Sequence, residues 1–133
     1  MDELDNLPQL LKDISGQDCY NYKVYFVVNQ PDLWWGDGEK RGICERNMKS
    51  IEYIREHADF PVNVIDRCSP GKGWQGKNLG VGWARKVVMD TVLAEAAETD
   101  IIITLDGDTR FNRSYFSSVR ENFNRHPKAV GLS

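Results

Sequence analysis

Long apolar runs are missing from this chain: stretches such as Val24-Tyr25-Phe26-Val27-Val28 fall far short of the roughly 20 apolar residues that a membrane-crossing helix needs. The opening Met1-Asp2-Glu3-Leu4-Asp5-Asn6 is acidic where a secretory leader has a basic head. No membrane segment is therefore expected within these 133 residues. Cysteine is scarce as well, and Cys19, Cys44 and Cys68 are odd in number, with no C-x-x-C spacing and no neighbouring histidine pair. That argues against a zinc site or a disulfide framework and fits a reducing, cytoplasmic setting, which for a longer protein includes the cytoplasmic face of a membrane. Positive charge is in deficit, 17 Lys and Arg against 20 Asp and Glu, for a net charge of -3. With a pI near 5.4 the chain has no general attraction for nucleic acid or acidic lipid, so neither is an expected partner.

What is present is a regular alternation of elements. Leu7, Leu10, Leu11 and Ile14 fall on one helical face, with Asn6 as a cap, Pro8 in the first turn and Gly16 as terminator. Tyr22 to Val28 is a compact run of β-branched and aromatic residues, apolar on both faces, as in a strand covered on both sides. A long turn follows. Met48, Ile51, Ile54 and Ala58 then recur at helical spacing from about Glu45, before Pro61 resets the chain into a strand over Val62 to Ile65. Beyond a Gly-rich loop, Val81, Ala84, Val88, Val92 and Ala96 predict a long amphipathic helix, and Ile101 to Leu105 a third strand. Tyr115, Phe116, Val119 and Phe123 outline a last helix, stopped by His126-Pro127 ahead of a possible final strand over Ala129 to Ser133.

Such alternation predicts an α/β fold, an open and mainly parallel sheet flanked by helices, with function at the carboxyl ends of the strands. The chain opens on a helix with no strand to feed it. The expectation is a single partial domain over residues 1–133, belonging to a larger one.

Three motifs compete for the chemistry. Gly71-Lys72-Gly73-Trp74-Gln75-Gly76 satisfies G-x-G-x-x-G, and with Lys77 and Asn78 it nearly completes a phosphate loop. A phosphate loop needs a hydroxyl after its lysine, however, and Asn78 supplies an amide. Asp66 to Pro70 also separate the loop from its strand, where both motifs spring directly from one. A nucleotide-binding or NTPase role for Gly71 to Lys77 is thus the weaker alternative. The stronger signal is Ile101 to Thr109, an apolar run ending in Asp106-Gly107-Asp108. Two carboxylates at a strand's carboxyl end can hold a hard divalent cation, Mg2+ or Mn2+, that neutralises a diphosphate. The bland reading is a polar turn in a non-catalytic α/β interaction module.

Charge placement favours the metal. Arg67, Lys72, Lys77, Arg85 and Lys86 cluster after the second strand, facing the acidic turn, which suits a diphosphate with its cation. Glu95 and Glu98 read as solvated helix surface. Of Trp34, Trp35, Trp74 and Trp83, only Trp74 is a candidate stacking platform, and packing is the commoner role of a tryptophan. His57 and His126 read as caps or surface residues. Cys68, beside Arg67, reads as packing before reactivity.

Three stretches together resemble the donor-binding half of family 2 glycosyltransferases, whose nucleotide-diphospho-sugar transferase fold, GT-A, is Rossmann-like: Val24 to Asp32; Gly71 to Lys86, similar to a G-K-x-x-x-x-N-x-G segment; and Ile101 to Thr109, similar to the L-D-A-D-T strand. The resemblance implies an inverting sugar transfer from a nucleotide-diphosphate donor to a sugar, lipid or protein acceptor. It places Asp108 on the metal and diphosphate, and Asp106 near the ribose or on the metal. Asn29, Asp32 or Asp66 would meet the base, while Lys77 and Arg85 would steady the phosphates. The catalytic base is not assigned to any residue of this sequence, and this portion alone is expected to lack turnover.

Overall fold

The computed structural model describes residues 3–76 and 80–128. Among them the chain is α/β, with a two-stranded parallel sheet and four α-helices. Helix α1, Leu7–Ser15, forms as its spacing predicts: Pro8 lies in the first turn, Leu7, Leu10, Leu11 and Ile14 are buried, and Gly16 follows the last turn. Strand β1, Val24–Asn29, pairs in parallel with β2, Val62–Arg67, from Val24 opposite Val62 to Asn29 opposite Arg67. Parallel neighbours need a crossover, and α2, Arg41–His57, supplies it. Two sequence boundaries move. Helix α2 begins at Arg41 instead of Glu45, after a 3-10 turn over Asp32–Gly36, and β2 runs two residues past Ile65 because it stays in register with all of β1.

The core follows from strand alternation. Val24, Phe26 and Val28 of β1 and Val62 and Val64 of β2 point to one face, where they pack against Leu7, Leu10, Ile14 and Ile54. Helices α1 and α2 cover that face. Tyr25 points the other way, and its hydroxyl donates to Glu95 at the end of α3, Val81–Glu95, which packs on β1. Helix α4, Tyr115–Arg125, is tied back by a buried glutamine: the Gln17 amide nitrogen donates to the carbonyl of Asn112 at 2.6 Å, and its oxygen accepts from the Phe116 amide at 2.9 Å. Phe111 and Phe116 complete the core, with the Phe116 ring edge-on to Tyr22.

Two expectations are corrected. Ile101 to Leu105 joins no ladder, and Ile101, Ile102 and Leu105 are each 37% exposed. No described strand lies beside this segment, so its apolar sequence has no backbone partner to pair with. Helix α3 buries only Ala84 and leaves Val81, Trp83 and Leu93 exposed, so its apolar residues do not make a covered stripe. The strand expected over Ala129 to Ser133 lies outside the described residues. No helix among the described residues is long and apolar enough to cross a membrane.

Candidate functional site

The carboxyl ends of β1 and β2 present Asn29 and Arg67 side by side, and the Gly-rich loop folds back over them. That return is built from backbone. The Trp74 amide donates to the Gln30 carbonyl at 2.8 Å, and the Asp32 amide donates to the Trp74 carbonyl at 3.1 Å. Only a residue without a side chain fits at position 73, since a Cβ there would stand 2.6 Å from the Asp32 nitrogen. Gly71 and Gly76 hold φ of 82° and 99°, which glycine adopts without strain. The glycine pattern that mimics a dinucleotide fingerprint therefore serves a close backbone approach.

The carboxylates near this loop are engaged. Asp32 accepts from the Gly71 amide at 2.9 Å and from the Gln75 side-chain amide at 3.1 Å. Asp66 accepts from the amides of Cys68 and Ser69 and from the Ser69 hydroxyl, with Lys72 at 3.7 Å. Burial by itself would raise the Asp66 pKa, but the hydrogen bonds from Ser69 and Cys68 outweigh it and hold the carboxyl at about 2. Both acids, expected beside a nucleobase, act as ties that shape the loop. Asn29 remains at the strand end in register with Arg67.

Trp74 is 5% exposed, with the Arg67 guanidinium 5.2 Å from its ring centre and Trp83 edge-on at 6.4 Å. It packs, and the exposed ring of the pair is Trp83. Cys68 is fully buried beside Asp66, and burial first, with the negative charge second, pushes its thiol up to about 12. Such a thiol is a packing group. His57 stacks on Tyr53 and bonds its carbonyl at the end of α2.

The acidic turn meets α3. The guanidinium of Arg85, the fifth residue of α3, donates to Asp106 Oδ1 at 2.7 Å, with both side chains 62% exposed. Asp106 Oδ2 makes no bond among the described residues, nor does the Asp108 carboxylate. The structure thus brings Arg85 and Asp106 together and leaves Asp108 open. Lys77 lies outside the described residues.

Comparison with known protein families, with characterised proteins and with solved structures finds no match. The site therefore rests on its own geometry.

That geometry fits a cation in a limited way. No group of three or more His, Cys, Asp or Glu side chains able to hold a metal exists among the described residues. Two carboxylates are nevertheless the usual protein share for Mg2+, which keeps waters and takes substrate phosphate oxygens for the rest. Asp106 through its free oxygen and Asp108 through either of its own would supply that share.

Two contacts, one at the acidic turn and one at the far end of α3, escaped sequence reasoning. Glu3 packs its side chain on Gly107, its Cγ 3.2 Å from where a Cβ would stand, although more than a hundred residues separate them. Glu95, read as solvated surface, bonds Tyr25 and lies 3.2 Å from Lys23, fixing the end of α3 to the start of β1. Neither contact has a local sequence signal.

Proposed function

We propose that this chain is the donor-binding part of a metal-dependent glycosyltransferase with a Rossmann-like GT-A sheet, which transfers a sugar from a nucleotide-diphosphate donor with inversion. The observation that carries the reading is the Arg85–Asp106 contact, which puts a guanidinium and the Asp106-Gly107-Asp108 turn within reach of one anionic ligand. Arg85 would exchange Asp106 for a phosphate oxygen, and the carboxylate so released would join Asp108 on Mn2+ or Mg2+. A cation held there supplies Lewis-acid stabilisation of the charge on the departing diphosphate. Asn29, at the end of β1, remains the candidate contact for the base. Asp32 and Asp66 act one step removed, by shaping the loop that borders it.

The phosphate-loop alternative finds less support. The amides of Gly71, Lys72 and Trp74 already donate to Asp32, Ser69 and Gln30, and the carboxylate of Asp32 stands where a phosphate would have to bind.

Calorimetric titration of the chain with UDP or GDP in the presence of Mn2+ tests the proposal. Binding should require the metal and weaken at least about tenfold, roughly 1.4 kcal/mol, in the Asp106→Asn and Asp108→Asn variants. Binding that is indifferent to both substitutions, or none at all for every donor nucleotide, would sink it.

A further inference from the structure

At the carboxyl end of β1, most groups that could read the edge of a base are already engaged. Asp32 is bonded to Gly71 and Gln75, and Asp66 to Cys68 and Ser69. Gln30 is 1% exposed and turned to α2, where its oxygen accepts from the Asn47 side-chain amide at 2.9 Å. Asn29 shares its face of the strand with Tyr25, which meets α3, so it belongs on the α3 side of the sheet. Its amide both donates and accepts, and so favours no particular base. A ring, in contrast, is open. Trp83 is 42% exposed, lies edge-to-face with the buried Trp74 at 6.4 Å, and carries the exposed ammonium of Lys86 over its ring at 5.7 Å. The Trp74 indole N–H is buried without an acceptor, which folded proteins rarely allow. Side chains two apart on a helix point about 200° apart, so Trp83 and Arg85 leave α3 on opposite flanks of the buried Ala84. One flank meets the Gly-rich loop and the other meets Asp106.

We infer that Trp83 is the platform on which the base of the donor nucleotide stacks, so that the chain holds the base by its face instead of reading its edges. The inference rests on the nucleotide-diphosphate reading above and adds its specificity. A nucleotide with its base on Trp83 and its diphosphate at Arg85 would lie across the carboxyl end of β1, where Asn29 stands. The base would replace Lys86 over the ring, because a cation–π contact at an exposed site is weak beside base stacking. Its carbonyl and ring-nitrogen atoms would bring acceptors to a pair of rings whose buried N–H has none. Every base has a π face, so such a platform accepts purines and pyrimidines alike, and the larger purine covers more of it.

Calorimetric titration with UDP, GDP and inorganic pyrophosphate, each with Mg2+, separates the platform from the metal site. Both nucleotides should bind about tenfold or more tightly than pyrophosphate, with GDP no weaker than UDP. Trp83→Ala should bring both down to the affinity of pyrophosphate and leave pyrophosphate itself unchanged, whereas Trp83→Phe should keep most of the advantage. Base protons should move upfield in NMR spectra on binding the parent, and should not do so with Trp83→Ala. If the Ala variant fails to fold, Trp83→Leu, which fills the space without a π face, takes its place with the same expectations. Equal affinity of the parent for nucleotides and pyrophosphate, or an advantage that survives the loss of Trp83, would overturn the inference and leave the metal site standing. So would a preference for UDP over GDP of more than about tenfold, which is the mark of edge reading. Binding of none of the three would end the donor-site reading and this inference together.

Discussion

The Asp32 carboxylate sits 2.9 Å from the Gly71 amide, so the loop most like a phosphate cradle already holds an anion of its own. That contact separates two readings of one glycine-rich sequence. The Asp32→Ala variant is expected to lose about 1 to 2 kcal/mol of stability by chemical denaturation, because a bond to a charged group disappears and the loop loses its tie. It should gain no ATP or GTP binding. Nucleotide affinity appearing in that variant would restore the phosphate-loop reading.

Arg85 offers a contrast between binding and stability. Both partners of its ion pair are 62% exposed, and such pairs contribute little to folding. Replacing Arg85 with Ala should leave the unfolding midpoint within about 2 °C of the parent, yet weaken binding of a nucleotide diphosphate with Mn2+ about tenfold. A large loss of stability with unchanged binding would make the residue structural.

Gly73 and Gly38 carry opposite expectations for the same substitution. An added Cβ at position 73 would stand 2.6 Å from the Asp32 backbone nitrogen, whereas at Gly38 nothing lies within 4 Å. Gly73→Ala should cost about 1 to 3 kcal/mol, and Gly38→Ala should be close to neutral. Thermal melts of the two variants check this directly.

Asp66 sets an acid limit. Its folded pKa, about 2, lies below the ordinary carboxylate value near 3.9, so its contribution is complete above that unfolded value and lost as pH falls through about 2. The depression corresponds to about 2 kcal/mol at neutral pH. Urea midpoints of the parent should therefore drop more steeply between about pH 4 and pH 2 than those of the Asp66→Asn variant. Parallel curves would show that the hydrogen bonds of Asp66 do not stabilise the fold.

Cys68 is fully buried, with its thiol pushed up to about 12. Iodoacetamide at pH 8 should leave it unmodified in the native chain and label it at once in denaturant, as read by mass spectrometry. Rapid native labelling would indicate that the strand end opens readily.

Local pattern determined a good deal of this protein. Leu7, Leu10, Leu11 and Ile14 announced α1, and the run from Tyr22 to Val28 announced β1, because helical spacing and β-branched clusters are properties of neighbours in the chain. The meeting of Arg85 with Asp106 was also legible, as a basic cluster after the Gly-rich loop and an acidic turn after an apolar run. Other features were settled only by the tertiary structure. An apolar segment becomes a strand only when another backbone pairs with it, and Ile101 to Leu105 has none among the described residues. Asp32 and Asp66 looked free for a ligand until the loop folded onto them, and nothing near Glu3 in the sequence points to Gly107. Periodicity reports which residues want burial. Which backbone or carboxylate finds a partner depends on contacts between distant parts of the chain, and those exist only after it has folded.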